Sequence, residues 1–161
     1  TLDNAHAIQD AGASWLTVHA RTKADGYTPP AYWEKIQPIT EALNINVIAN
    51  GEIWNNSDAK TCLQQSHCQD IMLGRGAVTT PDLSLCIRQN NDATVLSWQD
   101  LIELQQRFLT GQYKTEIGMI GRYKQWLGMM TKAYPEAQQL WTQVKRIKQL
   151  EQIIEYLDKS C

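Results

Sequence analysis

No apolar run in this 161-residue chain approaches the ~18 residues that span a bilayer, so no membrane partner is expected. Four cysteines are present, Cys62, Cys68, Cys86 and Cys161, and none is spaced from another as CxxC. Neighbouring histidines do not complete a zinc pattern. His67 beside Cys68 is the one candidate ligand pair, and no metal is expected. Scattered reduced thiols suit a cytoplasmic protein. Thr1-Leu2-Asp3-Asn4 lacks the basic and apolar regions of a signal peptide. An initiator methionine is missing too, from which a fragment or processed chain is expected. Neither an internal repeat nor a low-complexity segment stands out.

What is present is an uneven charge distribution and an alternation of short elements. Residues 1–96 carry six basic and ten acidic side chains, and residues 97–161 carry nine basic and seven acidic. From Arg107 to Lys148 there are eight basic residues against two acidic, Glu116 and Glu136. Such a stretch points either to an anionic partner or to a solvated helix surface.

The first part alternates helix and strand. Ala5 to Ala11 is helical and stops at Gly12, and Trp15 to His19 is a short buried-type strand. A polar loop follows to Pro30. Trp33, Ile36, Ile39 and Leu43 have helical spacing, with a kink or break expected at Pro38. Ile45 to Ala49 is a second strand. Ser57 to Gln65 is a helix capped by Asn56 or Ser57, and Ile71 to Leu73 is a third strand. Thr80-Pro81-Asp82 has the form of a helix start. This interval argues for parallel βα units, and three strands leave sheet edges that need partners.

After Asn90-Asn91-Asp92 strand signals vanish. Helices are expected from Ser97 to about Leu109, from Thr115 to about Lys132 despite three glycines, and from Pro135 onward. The last carries a stripe of Leu140, Trp141, Val144 and Ile147 that Leu150, Ile153, Ile154 and Leu157 continue. The domain boundary is placed near residue 93, giving α/β over 1–92 and a small all-α bundle over 93–161.

Two segments bear most on chemistry. Val47-Ile48-Ala49-Asn50-Gly51-Glu52 and Asp70-Ile71-Met72-Leu73-Gly74-Arg75-Gly76 are apolar runs that end in glycine ahead of a helix-like stretch. Glycine admits close backbone approach, and converging N–H groups at a helix start favour an anion. Arg75 adds a charge-assisted donor. The alternative is ordinary βα turns with a surface arginine. His19 ends the first strand in Leu16-Thr17-Val18-His19-Ala20-Arg21-Thr22, either as a cofactor donor or as a histidine satisfied by backbone. Glu52 either accepts from a ligand or caps the next helix. The pair of turns resembles the phosphate site after the seventh and eighth strands of a (β/α)8 barrel, of which a complete copy needs ~250 residues. The expectation is therefore the C-terminal part of a TIM barrel followed by a helical bundle.

Together these segments resemble bacterial tRNA-dihydrouridine synthases. Thr22-Lys23-Ala24-Asp25-Gly26-Tyr27 and Arg122-Tyr123-Lys124-Gln125-Trp126-Leu127 are most similar to the C-class, which acts on position 16 of the D-loop. The resemblance covers essentially the whole chain. It implies that His19, Asn50, Gly51, Glu52, Gly74 and Arg75 hold FMN, reduced by NADPH. It further implies that Tyr27, Arg122 and Lys124 face tRNA, the helical part gripping phosphates. The aromatic pair Tyr123 and Trp126 is assigned to core packing. The family's general-acid cysteine and a lysine on an earlier strand have no counterpart here. Ala20 replaces the glycine common after the histidine. The chain alone is expected to be inactive, and self-association through the open strand edges is plausible. An RNA-binding module without catalysis and another FMN barrel acting on a small molecule remain alternatives.

Overall fold

β-branched and apolar residues in short runs build a parallel sheet of β1 (Trp15–His19), β2 (Asn46–Asn50) and β3 (Asp70–Met72), in the order β1-β2-β3. The computed structural model describes residues 1–26, 28–111 and 115–160. Register pairs His19 with Asn50 and Asn50 with Met72, so the three strands end level with one another. Alternation sends Leu16, Val18, Val47, Ala49 and Ile71 to one face, where they join a core with Ile36, Ile39, Ala59 and Cys62. Trp15, Thr17 and His19 point the other way, and Trp15 is 63% exposed.

The helices that cover the apolar face are α1 (Leu2–Asp10), α2 (Gln37–Ala42) and α3 (Asn56–Ser66). The single helix expected over Tyr32 to Leu43 is broken. A 3-10 turn, Trp33–Lys35, precedes α2, and Pro38 sits in the first turn of α2, where its missing N–H has no partner to lose. The cap of α3 is Asn55, one residue before the expected pair. Its backbone is extended and its side chain accepts from the Asp58 N–H at 2.8 Å. Asn56 is instead buried and donates to Asn90 at 3.0 Å.

Two short helices follow β3, α4 (Arg75–Thr79) and α5 (Leu83–Arg88). The Thr80-Pro81-Asp82 start is thus displaced to Leu83. Asp82 does not cap locally, because its buried carboxylate accepts the N–H groups of Val95 and Leu96. A long-range bond has overridden a local preference.

The chain divides into two compact units, Thr1–Ala77 with Leu83–Asp92, and Val78–Asp82 with Ala93–Cys161. The second contains α6 (Trp98–Leu109), α7 (Glu116–Met130), α8 (Pro135–Val144) and α9 (Leu150–Asp158). Ser97 and Asp100 form a reciprocal capping box on α6, and Thr115 caps α7 through the Gly118 N–H. All three glycines of α7 stay helical, and Gly128 faces Trp141. A Cβ there would stand 3.7 Å from the Trp141 ring, an ordinary contact distance, so this face of α7 packs closely on that aromatic without requiring glycine. The single long stripe expected after Pro135 becomes two helices joined at 145–149.

The core of this unit holds Leu101, Ile102, Leu109, Leu127, Met130, Leu140, Val144, Ile153 and Leu157. Each fully buried side chain of this size contributes roughly 1.5–3 kcal/mol. Tyr123 is fully buried and donates to Gln105 Oε1 at 3.0 Å, while Gln105 Nε2 donates to the Leu101 carbonyl at 3.1 Å. Trp126 packs against this core and on Phe108, at 5.4 Å between ring centres. Both aromatics thus serve packing, as expected. No helix among the described residues is long and apolar enough to cross a membrane.

Candidate functional site

The level strand ends create a cavity of about 370 Å³ lined by His19, Asn50, Gly51, Glu52, Trp54, Met72, Gly74 and Arg75, among others. All six residues expected to hold a cofactor are therefore brought together. Each is set there by local backbone. His19 ends β1, and its Nδ1 lies 3.2 Å from the Asn50 carbonyl. A proton on Nδ1 makes that contact a hydrogen bond and leaves Nε2 as the free ring nitrogen. One nitrogen is thus satisfied by backbone, as in the second reading of His19, and the ring lines the cavity. Asn50 ends β2 and donates to the Met72 carbonyl at 2.7 Å, tying β2 to β3 at the rim.

Gly51 has φ of +122°, and a Cβ there would stand 2.9 Å from both His19 Cε1 and Nδ1. Only glycine gives this turn its backbone and lets the imidazole lie against it. The Gly51 carbonyl is held by Trp33 Nε1 at 2.8 Å. At the second turn, Gly74 has open space where a Cβ would be, so the backbone there is accessible. A Cβ on Gly76 would collide with the Ile53 carbonyl at 2.1 Å, so this glycine is required by packing between the two turns.

Glu52 does not cap the following helix. Its carboxylate ion-pairs with both Arg21 and Arg75 and accepts from Trp54 Nε1 at 2.9 Å. Burial pushes the Glu52 carboxyl up, but hydrogen bonds from Arg21 and Trp54 and the charges of Arg21 and Arg75 outweigh it, and the net shift is downward. Two guanidiniums thus share one carboxylate, Arg75 at the cavity wall and Arg21 behind it. The Arg75 side chain is 42% exposed, whereas that of Arg21 is 1% exposed. Arg21 Nη1 is buried without a hydrogen-bond partner among the described residues.

Arg21 and Trp54 are the site residues that sequence reasoning missed. The signal for Arg21 was its place two residues beyond His19, just past the end of β1. Trp54 gave no comparable signal.

The residues expected to face RNA fare differently. Tyr27 lies outside the described residues. Arg122 and Lys124 are both on α7, but two helical residues are turned by roughly 200° from each other, so they serve different faces. Arg122 is exposed. Lys124 is half-buried, and its Nζ donates to the carbonyls of Lys145, at 3.0 Å, and Ile147. Burial, and then the charge of Lys148, hold its ammonium below the usual lysine range.

Among the described residues no His, Cys, Asp and Glu cluster is arranged to hold a metal. His67 pairs with Glu41 at 3.0 Å, and the Cys68 thiol lies 3.2 Å from the Thr40 hydroxyl, so the two do not act together. Cys62, Cys68 and Cys86 are buried, and none lines the cavity. Burial pushes the Cys62 thiol up to about 12.

The arrangement suits one terminal phosphate at the end of a longer ligand. It offers an accessible glycine turn, an arginine at the rim, and the ring of His19 further along the wall.

The family profile described as Dihydrouridine synthase matches residues 1–160. The chain is 44% identical to the tRNA-dihydrouridine(16) synthase of Shewanella oneidensis, over 99% of this chain and 50% of that protein. It is 42% identical to the protein of that name from Pseudomonas putida, over 90% and 46%, and 40% identical to that of Haemophilus influenzae, over 92% and 48%. The chain thus spans about half the length of the curated relatives it matches.

Proposed function

The chain belongs to the dihydrouridine synthase family, and from that premise we propose that it is the part of such an enzyme that holds FMN by its phosphate end and grips tRNA. The parent reaction is reduction of a uridine in the tRNA D-loop, at position 16 by the relatives' name, with NADPH as reductant. The observation that carries the reading is the cavity, where both glycine turns, His19 and Arg75 meet at the ends of three parallel strands. That is the end of a (β/α)8 barrel at which ligands bind. Three such strands followed by an all-helical unit support the C-terminal part of the parent barrel, and open strand edges support association with another copy.

The residues fit the cofactor on this structure's own terms. Gly74 admits a ligand against the backbone, Gly51 lets the His19 ring lie against the first turn, and Asn50 fixes the rim. Arg75 neutralises phosphate charge, with Glu52 holding its guanidinium at the wall. His19, pinned through Nδ1, contacts the flavin through its free nitrogen. When bound, FMN supplies the hydride that reduces the uracil ring. The resemblance assigns the proton to a general-acid cysteine, and none of the described lining residues is a cysteine. Uridine reaches such a site by leaving the folded RNA, as bases do for enzymes that act on them. Arg122, exposed on α7, and Tyr27 recognise the target.

The test incubates the 161-residue chain with FMN, NADPH and unmodified tRNA. It is expected to bind tRNA and to form no dihydrouridine. Product formed by this chain alone would overturn the assignment of the acid to the other half. Unchanged tRNA binding by Arg122→Gln would overturn the role given to Arg122. Absence of tRNA binding would favour a flavin enzyme acting on a small molecule.

A further inference from the structure

Glu52 has an unusual backbone for its residue type. Its φ is +51°, directly after Gly51 at +122°. Residues other than glycine are uncommon in that left-handed region, and one that stays there is held by its surroundings. Here the carboxylate is held on three sides. Oε1 pairs with Nη2 of both Arg21 and Arg75, and Oε2 accepts from Trp54 Nε1 at 2.9 Å. Trp54 is itself fixed, because its backbone N–H donates to Asp58 at 2.9 Å. The Trp54 ring lies 5.4 Å from the Arg75 guanidinium, within cation–π range, so Arg75 is braced by a carboxylate and an aromatic face together. Arg21 is the remaining anchor. It does not line the cofactor cavity, and borders instead a second cavity of about 340 Å³ that His19 also lines. Its Nε reaches the Pro30 carbonyl only at 3.4 Å, and its buried Nη1 has no hydrogen-bond partner among the described residues. A buried guanidinium with a bond left unmade is not explained by stability alone.

We infer that Arg21 is a positioning residue, which fixes and neutralises Glu52 so that Glu52 can orient Arg75 toward a ligand phosphate. This rests on the FMN reading proposed for the chain, and it adds a residue that acts on the phosphate without touching it. The charges show why a second cation is needed. A carboxylate paired with Arg75 alone would cancel its charge and repel an arriving phosphate. With Arg21 on the same oxygen, two permanent cations and one anion leave a net positive charge. Glu52 then orients Arg75 without cancelling it, and a guanidinium already in place has less freedom to lose on binding. A merely structural Arg21 would act on every flavin alike, whereas a positioning Arg21 acts on the one that carries a phosphate.

The experiment titrates FMN and riboflavin against the whole chain, for wild type, Arg21→Met, Arg21→Gln and Arg21→Lys, with folding followed by circular dichroism. The ratio of the two affinities reads the contribution of the phosphate. Both neutral variants are expected to lower that ratio about tenfold, the lower end for a close charge pair, with riboflavin binding unchanged. Arg21→Lys keeps the charge and is expected to keep most of the ratio. On a Glu52→Gln background, where Arg21 has no carboxylate to fix, Arg21→Met is expected to change the ratio no further. A wild-type ratio in a folded neutral variant would overturn the inference and leave the FMN reading intact. Equal weakening of both flavins, or loss of the fold in both neutral variants, would assign Arg21 to structure and overturn it as well. So would a lysine variant as impaired as the neutral ones, or full additivity with Glu52→Gln. Wild-type chain that binds the two flavins equally, or does not bind FMN, would overturn the FMN reading and the inference with it.

Discussion

Replacing Glu52 with glutamine isolates the charge at the centre of the cavity wall. The carboxylate is the counter-ion of two guanidiniums, and its own side chain is 13% exposed against 1% for Arg21. Removing one partner of a buried pair costs about 3–5 kcal/mol, because the remaining charge is left uncompensated. Glutamine keeps an acceptor for Trp54, and the more exposed Arg75 is rehydrated, so the expected loss is at the lower end, about 3 kcal/mol. Its pH dependence follows from the lowered Glu52 pKa. The folded value lies below the unfolded value of about 4.5. The stabilisation is therefore complete above that pH and is lost as pH falls through the folded value. Urea denaturation of wild type and Glu52→Gln at pH 7, and at steps below 4.5, measures both effects. A gap of less than about 1 kcal/mol at pH 7, as for an exposed pair, would refute the reasoning. So would a gap that stays constant through the acid range.

Two further perturbations probe the helical unit. Tyr123→Phe strands the buried Gln105 Oε1 and is expected to cost about 1–3 kcal/mol in urea titration. Gln105→Leu added to Tyr123→Phe should recover part of that loss, since no acceptor is then left unpaired; a double variant weaker by the full sum would contradict this. Lys124→Met removes donors from two carbonyls and is expected to cost about 1 kcal/mol, discounted for partial exposure. Lys124→Arg should cost less, and equal losses would argue against the hydrogen bonds.

Much of this was legible in the sequence because local chemistry and tertiary structure agree. The three strands were placed to within a residue, since short apolar runs ending at Gly51 and Gly74 have few other ways to fold. Ser97 and Thr115 announced α6 and α7, because capping depends on a neighbouring N–H. Long-range bonds hid the rest. Asp82 looks like a first-turn acid and is bound to Val95 and Leu96 instead. Lys124 looks like a cation on an RNA-facing helix, and its partners lie more than twenty residues away. Arg21 shows the same limit at the site, since its role depends on Glu52, which another strand delivers.

The central claim is that the two glycine turns hold a flavin by its phosphate, and its most direct test compares FMN with riboflavin, which lacks that phosphate. Titrating each against the chain and following flavin fluorescence is expected to give tighter binding of FMN. Arg75→Met is expected to abolish most of the difference while leaving riboflavin unaffected. Equal affinities for the two flavins, or no binding of FMN at all, would contradict the account.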